Sequence, residues 1–186
     1  MSISEVLQRI TTALDQSDVA YMLTGSFASA YYGAPRSTQD IDVVVEATPA
    51  QLRAFVGSLP VDQYYSDLDA ALQAHKAESM FNVVDHSTGW RINFIVRKSR
   101  PFSREEFRRR VRVNLQDVSL FVASTEDIVI AKLEWSRLAQ SQRQVDDVAA
   151  ILRTRRDIMD RSYIEKWTSE LRLQNEWEKA RQAAGT

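Results

Sequence analysis

The chain has 186 residues, 24 Lys and Arg against 25 Asp and Glu, and a net charge of −1. That length suits one domain, or one domain with a small helical appendage, and that balance gives no global attraction to nucleic acid or an anionic membrane. It has no cysteine, which excludes disulfides, thiolate metal sites and cysteine nucleophiles together.

Val6, Ile10 and Leu14 recur every fourth residue with Leu7 beside them, which predicts a first helix over about 3–15. Glu5, Arg9 and Asp15 interrupt this N-terminal stretch, so it lacks the layout of a signal peptide. No apolar run approaches the roughly 20 residues that span a bilayer, and a soluble, cytoplasmic protein without a membrane partner is expected. VAYMLT (19–24) reads as a short strand ending at Gly25, and SFASAYY after it as a short helix stopped by Gly33 and Pro35. DIDVVVE (40–46) is the second strand; Thr48 followed by Pro49 opens a helix. Residues 61–77 read as a brief strand and then a helix from about Ser66.

MFNVVDHSTGWRINFIV (80–96) is the clearest hairpin, two β-rich runs around a polar turn containing Gly89. Pairing Asp85 with Trp90 sets Asn82 opposite Asn93. Ser103 with Glu106 reads as a capping box opening a short basic helix, and VSLFVA (118–123) as a further strand. From there the pattern is helical. Ser124 opens one helix, Ser141 with Gln144 a second, and Ser162 with Glu165 a third, the latter two as capping boxes. The plan is α/β of the α+β kind: a mixed sheet flanked by helices over 1–123, then a helical C-terminal part over 124–186 packed on it as a subdomain.

Two sites along this plan carry chemistry. A strand that ends in Gly25 and enters a helix at Ser26 presents unpaired backbone N–H groups in a positive helix-terminal field, a junction suited to phosphate. Asp40 and Asp42 lie two apart in a strand and so share a face, where like charges are destabilising unless something neutralises them. A divalent cation does so; a loop end and an exposed strand edge are the structural alternative. Together the two sites describe phosphates gripped at the first strand's exit and bridged by Mg²⁺ to the carboxylates.

The stretch GSFASAYYGAPRSTQDIDVVV resembles the G-S…D-x-D motif of the polymerase-β-like nucleotidyltransferase superfamily. Its YG-x-x-R-x-T-x-D-I-D form is similar to the small bacterial branch related to AbiEii-type toxins, and the likeness extends to EDIVIAKLEWSR and RQVDDVAAIL. The resemblance implies a minimal nucleotidyltransferase sheet and transfer of a nucleotide from NTP to a hydroxyl with divalent metal, Mg²⁺ or Mn²⁺. In toxin relatives the acceptor belongs to the 3′ end of tRNA or to a protein, and an antitoxin is a further partner. It also implies that Lys132 and Arg143 steady the triphosphate, with Asp147 orienting Arg143.

The family's third carboxylate lies in an apolar-Asp-apolar segment on a later strand; here that segment is WRINFIV and the matching residue is Asn93. An amide oxygen ligates metal without negative charge and cannot accept the nucleophile's proton near neutrality. Two readings follow: a nucleotidyltransferase with Asp40, Asp42 and Asn93 at its centre, or a nucleotide-binding pseudoenzyme or regulatory, toxin–antitoxin interaction protein on the same fold. Ile128, Lys132 and Trp135 share a helical stripe, so Lys132 is expected among apolar neighbours, its ammonium either snorkelling to water or meeting triphosphate. Arg36, just before the aspartates, is either a further phosphate contact or a solvated loop arginine. Residues 97–112 hold eight basic residues against two acidic ones, a solvated face or a patch for the phosphates of an RNA acceptor. His75 and His86 show no metal-ligand spacing.

Overall fold

The computed structural model describes residues 2–35 and 37–185. Two compact units form, one from the residues up to Thr24 together with Ser37–Val122, the other from the segment beginning at Gly25 together with the residues from Ala123 on. Arg36 lies outside the described residues.

The first unit opens with helix α1, Ile3–Gln16, whose N-terminus is closed by a reciprocal Ser2–Glu5 capping box. Strand β1, Ala20–Thr24, follows, and later strand β2, Asp40–Glu46. Helix α3, Pro49–Ser58, starts as its sequence predicts, with Thr48 as cap and proline in the first turn. Then come β3 (Tyr64–Tyr65), α4 (Leu68–Ala77, capped by Asp67), and the hairpin β4 (Met80–Asp85) and β5 (Arg91–Val96). Helix α5, Pro101–Arg108, and strands β6, Val111–Leu115, and β7, Val118–Val122, complete the unit.

All seven strands join one mixed sheet in the order β3-β4-β5-β2-β1-β7-β6. β1 runs antiparallel to β2 and parallel to β7, while β2 runs parallel to β5, which sets Asp40 beside Arg91 and Asp42 beside Asn93. Alternation then decides which face each residue joins. Ile41, Val43, Val45, Ile92, Phe94 and Val96 are buried, with Phe94 flanked by Phe55 at 5.0 Å and Phe81 at 5.1 Å. The apolar stripe of α1, Val6, Leu7, Ile10 and Leu14, closes over Leu23, Ile41 and Ile92 on this same face. The residues between them, Asp40, Asp42, Arg91 and Asn93, therefore fall on the opposite face.

Two local expectations change in the 97–112 region. Ser103 does not cap α5; the helix begins two residues earlier with Pro101 in its first turn, and Ser103 is buried within it, accepting from Arg100 Nε at 3.0 Å. Of the arginines after it only Arg112 lies in β6, an edge strand in which Val111, Val113 and Leu115 alternate with Arg112 and Asn114.

The second unit is helical: α2 (Gly25–Tyr31), α6 (Thr125–Ala139), α7 (Gln142–Arg155), α8 (Arg161–Glu170) and α9 (Gln174–Ala184). Ser124 caps α6. Ser141 sits at the start of α7 without a side-chain cap bond, and α8 is capped by Asp160 rather than Ser162, which instead donates to the Asp160 carboxylate at 2.6 Å. Gly33 closes the α2 segment at φ +104°, where an added Cβ would meet Thr154 Oγ1 at 2.5 Å. Among the described residues no helix is long and apolar enough to cross a membrane.

Candidate functional site

In the first unit the parallel pairing of β2 with β5 builds a small polar ladder. Arg91 Nε donates to Asp40 Oδ1 at 2.7 Å, and Asn93 Nδ2 donates to Asp42 Oδ1 at 2.8 Å. The next strand brings Asn82 opposite Asn93 in the hairpin register. Each aspartate thus meets a donor from the residue directly beside it, which offsets the repulsion two carboxylates on one face would otherwise suffer. The hydrogen bond from Arg91 to Asp40, the Asp40 charge and then that of Asp42 raise the Arg91 pKa above its ordinary value, so its cation is permanent.

The ladder stays open to water: the Arg91 and Asp40 side chains are 54% and 38% exposed, and Asp42 and Asn93 are half-buried. Among the described residues no three His, Asp or Glu side chains gather to hold a metal. The donor set is two carboxylates and one amide, one of the carboxylates already sharing an oxygen with an arginine. Such a set fits one divalent ion that draws its remaining ligands from phosphate and water. It does not form an all-protein cage.

In the second unit Gly25 opens α2 at φ +64°, a left-handed conformation that glycine adopts without strain. Ser26 follows it, buried, and Ser29 Oγ donates back to the Gly25 carbonyl at 2.7 Å. Lys132 on α6 is buried, as its place in the apolar stripe implies; Trp135 of that stripe is instead 54% exposed. The ammonium donates to Asp147 Oδ2 at 2.6 Å and to Gln144 Oε1 at 3.0 Å, with side-chain exposures of 5% for Lys132 and 11% for Asp147. Asp147, expected to orient Arg143, accepts from Lys132. Arg143 is exposed on α7, one turn before Asp147.

Two features lay outside the sequence reading. Arg91 is one, and a signal for it existed: it precedes Asn93 by two residues as Asp40 precedes Asp42, so any parallel register aligning the second pair aligns the first. The other is Asp127, fully buried at the start of α6, which accepts from Ser124 Oγ at 2.6 Å and from the Tyr163 hydroxyl at 2.7 Å. It ties α8 to the α6 cap, and its sequence signal is the S-x-x-D spacing from Ser124.

The basic run 97–112 is largely engaged within its own unit. Arg97 pairs with Glu46 at 2.6 Å and Arg108 with Glu105 at 2.6 Å, while the Arg110 guanidinium lies 4.4 Å from the Phe107 ring centre and 5.1 Å from that of Phe121.

A family model described as "Nucleotidyltransferase of unknown function (DUF6036)" matches residues 1–183. No curated protein matches the chain. Among solved structures, the antibiotic-resistance factor ANT(2'')-Ia is similar at a TM-score of 0.50 and 12% identity, over 100% of this chain and 91% of that one. An antigenic nucleotidyltransferase-like protein from Paracoccidioides brasiliensis is similar at a TM-score of 0.54 and 14% identity, over 96% of this chain and 91% of that one. At these identities the likeness is one of fold.

Proposed function

This chain belongs to the family of nucleotidyltransferases of unknown function (DUF6036), and from that premise we propose that it transfers a nucleotide from an NTP to a hydroxyl group. Asp40 and Asp42 would hold one divalent ion, Mg²⁺ or Mn²⁺. The observation that carries this reading is the pairing of β2 with β5, which sets both carboxylates and Asn93 on one partly exposed sheet face.

In the reaction the acceptor oxygen bonds to the α-phosphorus, the bond from that phosphorus to its bridging oxygen breaks, and pyrophosphate leaves. When bound, such an ion would supply charge neutralisation for the phosphates and make the hydroxyl more acidic. Asn93 fixes the orientation of Asp42 by donating to it, and offers no basic group, so the acceptor proton passes to a carboxylate of the aspartate pair or to water. The backbone N–H groups at Gly25 and Ser26 and the exposed Arg143 are the triphosphate contacts of this proposal. Lys132 and Asp147 brace α6 against α7 and so position Arg143. The acceptor is an RNA end, such as that of tRNA, or a protein hydroxyl.

The same Asn93 favours a second reading, a nucleotide-binding protein with little or no turnover. Incubating the protein with Mg²⁺ and each α-labelled NTP, together with total RNA or with lysate protein, separates them. Label transfer that disappears in Asp40→Asn and Asp42→Asn supports the transferase; metal-dependent NTP binding without transfer supports the second reading. Failure to bind any NTP overturns both and leaves a protein-interaction role, with an antitoxin partner as its test case.

A further inference from the structure

We propose that Arg91 is a phosphate-binding residue held in reserve by Asp40. Its guanidinium occupies the carboxylate that a metal ion would need, and an incoming metal–nucleotide complex draws it onto a phosphate oxygen. The inference rests on the nucleotide-binding reading of the Asp40–Asp42 face.

Three features of the ladder carry it. The first is valence. Arg91 spends one donor, Nε, on Asp40, and this is its side chain's one protein hydrogen bond among the described residues. Its two terminal nitrogens are left for a ligand, in the planar fork that matches phosphate oxygens in pairs.

The second is charge. Two aspartates and one arginine sum to −1, and Asn93 adds nothing. A dication placed on Asp40 and Asp42 while Arg91 remains in contact meets a like charge a few ångströms away. Metal alone is therefore disfavoured, whereas a metal carried by a triphosphate brings enough negative charge to hold both cations at once.

The third is the ease of exchange. Both partners of the 2.7 Å pair are more than a third exposed, so opening it strands no buried charge. The strands on which they stand need not move, because only the arginine side chain changes partner. Arg91 thus couples the two ligands: it opposes the metal when nucleotide is absent and supports the nucleotide when metal is present.

The test is a comparison of wild type with Arg91→Gln, measuring Mn²⁺ alone by its electron spin resonance signal and Mn²⁺ with a non-hydrolysable NTP analogue by calorimetry. The expected result is a crossing: Arg91→Gln binds Mn²⁺ alone about tenfold more tightly and the Mn²⁺–analogue complex about tenfold more weakly. Arg91→Lys keeps the charge and loses the fork, so it leaves Mn²⁺ affinity near wild type and weakens only the complex. It also stands in should Arg91→Gln fail to fold, with that same split as the deciding result. If Arg91→Gln tightens both, arginine is only a screen for the carboxylates and the proposal fails. If both constants are unchanged while Asp42→Asn abolishes complex binding, the proposal fails and the nucleotide-binding reading stands. If wild type binds no Mn²⁺–analogue complex, the two fall together.

Discussion

Asp85 illustrates how much one side chain can organise. It is fully buried at the end of β4, where its carboxylate accepts from Ser87 Oγ at 2.6 Å, from Ser87 N at 2.9 Å and from Thr88 N at 3.1 Å, and forms an ion pair with Arg9 of α1. Burial pushes its pKa up, yet the Ser87 and Thr88 donors and the Arg9 charge outweigh it and hold the group below its ordinary value. A depressed carboxylate contributes stability above its unfolded value of about 4, and that contribution is lost as pH falls through the folded value. Asp85→Asn is expected to cost about 2–3 kcal/mol at neutral pH. Thermal melts from pH 7 to pH 2 should show the wild type falling toward the variant at the acid end, and parallel curves would count against the account. At the other polarity, burial and then the neighbouring Tyr31 push the Tyr32 phenol up to about 12, so it stays a neutral donor to the Ala123 carbonyl at 2.9 Å.

Between elements, a buried ion pair joins α6 to α7 beside their apolar contacts. Lys132 and Asp147 stand on facing helices and are little exposed, and Gln144 gives the ammonium a second acceptor. Removing one partner strands the other charge in a poorly solvated place, at a cost of about 3–5 kcal/mol. Lys132→Ala is therefore expected to lower the melting temperature by roughly 6–20 °C, at about 2–4 °C per kcal/mol for a chain of this size. The double variant Lys132→Met/Asp147→Leu should recover most of that loss, because a well-packed apolar pair of similar volume replaces a desolvated one. A Lys132→Ala protein with an unchanged melting temperature and weakened nucleotide binding would instead make the ammonium a direct ligand.

For the molecule as a whole, the question is the charge at the Asp40–Asp42 face, where the sequence resemblance leads one to expect a third carboxylate and this chain has Asn93. Asn93→Asp restores that charge in nearly the same volume. It also replaces a 2.8 Å amide-to-carboxylate hydrogen bond with two carboxylates in contact. Repulsion raises the pKa of one of them, so the variant keeps its stability at low pH and loses it as pH rises through that raised value. Differential scanning calorimetry in EDTA at pH 8 should find Asn93→Asp less stable than wild type by about 1–3 kcal/mol, with Mn²⁺ restoring it. Stability indifferent to both pH and metal would place residue 93 outside any metal site.

Much of this architecture was legible before the fold. The periodicity of α1, the Thr48–Pro49 helix start, the Ser124 cap and the hairpin with Asn82 opposite Asn93 are local properties, written in residues within a few positions of each other. Asp40 and Asp42 share a face for the same reason, since strand alternation needs no partner. What lay beyond the sequence depended on register between distant segments. Arg91 reaches Asp40 only because β2 and β5 run parallel in one particular alignment across 51 residues, and that alignment is chosen by packing of the opposite, apolar face. The partner of Lys132 follows likewise from how α6 meets α7, not from the stripe it occupies. Edge strand β6 escaped notice although Val111, Val113 and Leu115 alternate with Arg112 and Asn114, because it follows directly on a basic run in which Arg110 stacks on Phe107 and Phe121. Local pattern determines the elements and the face each side chain joins; only tertiary packing decides which charges become neighbours, because Coulomb energy depends on distances that the chain order does not contain.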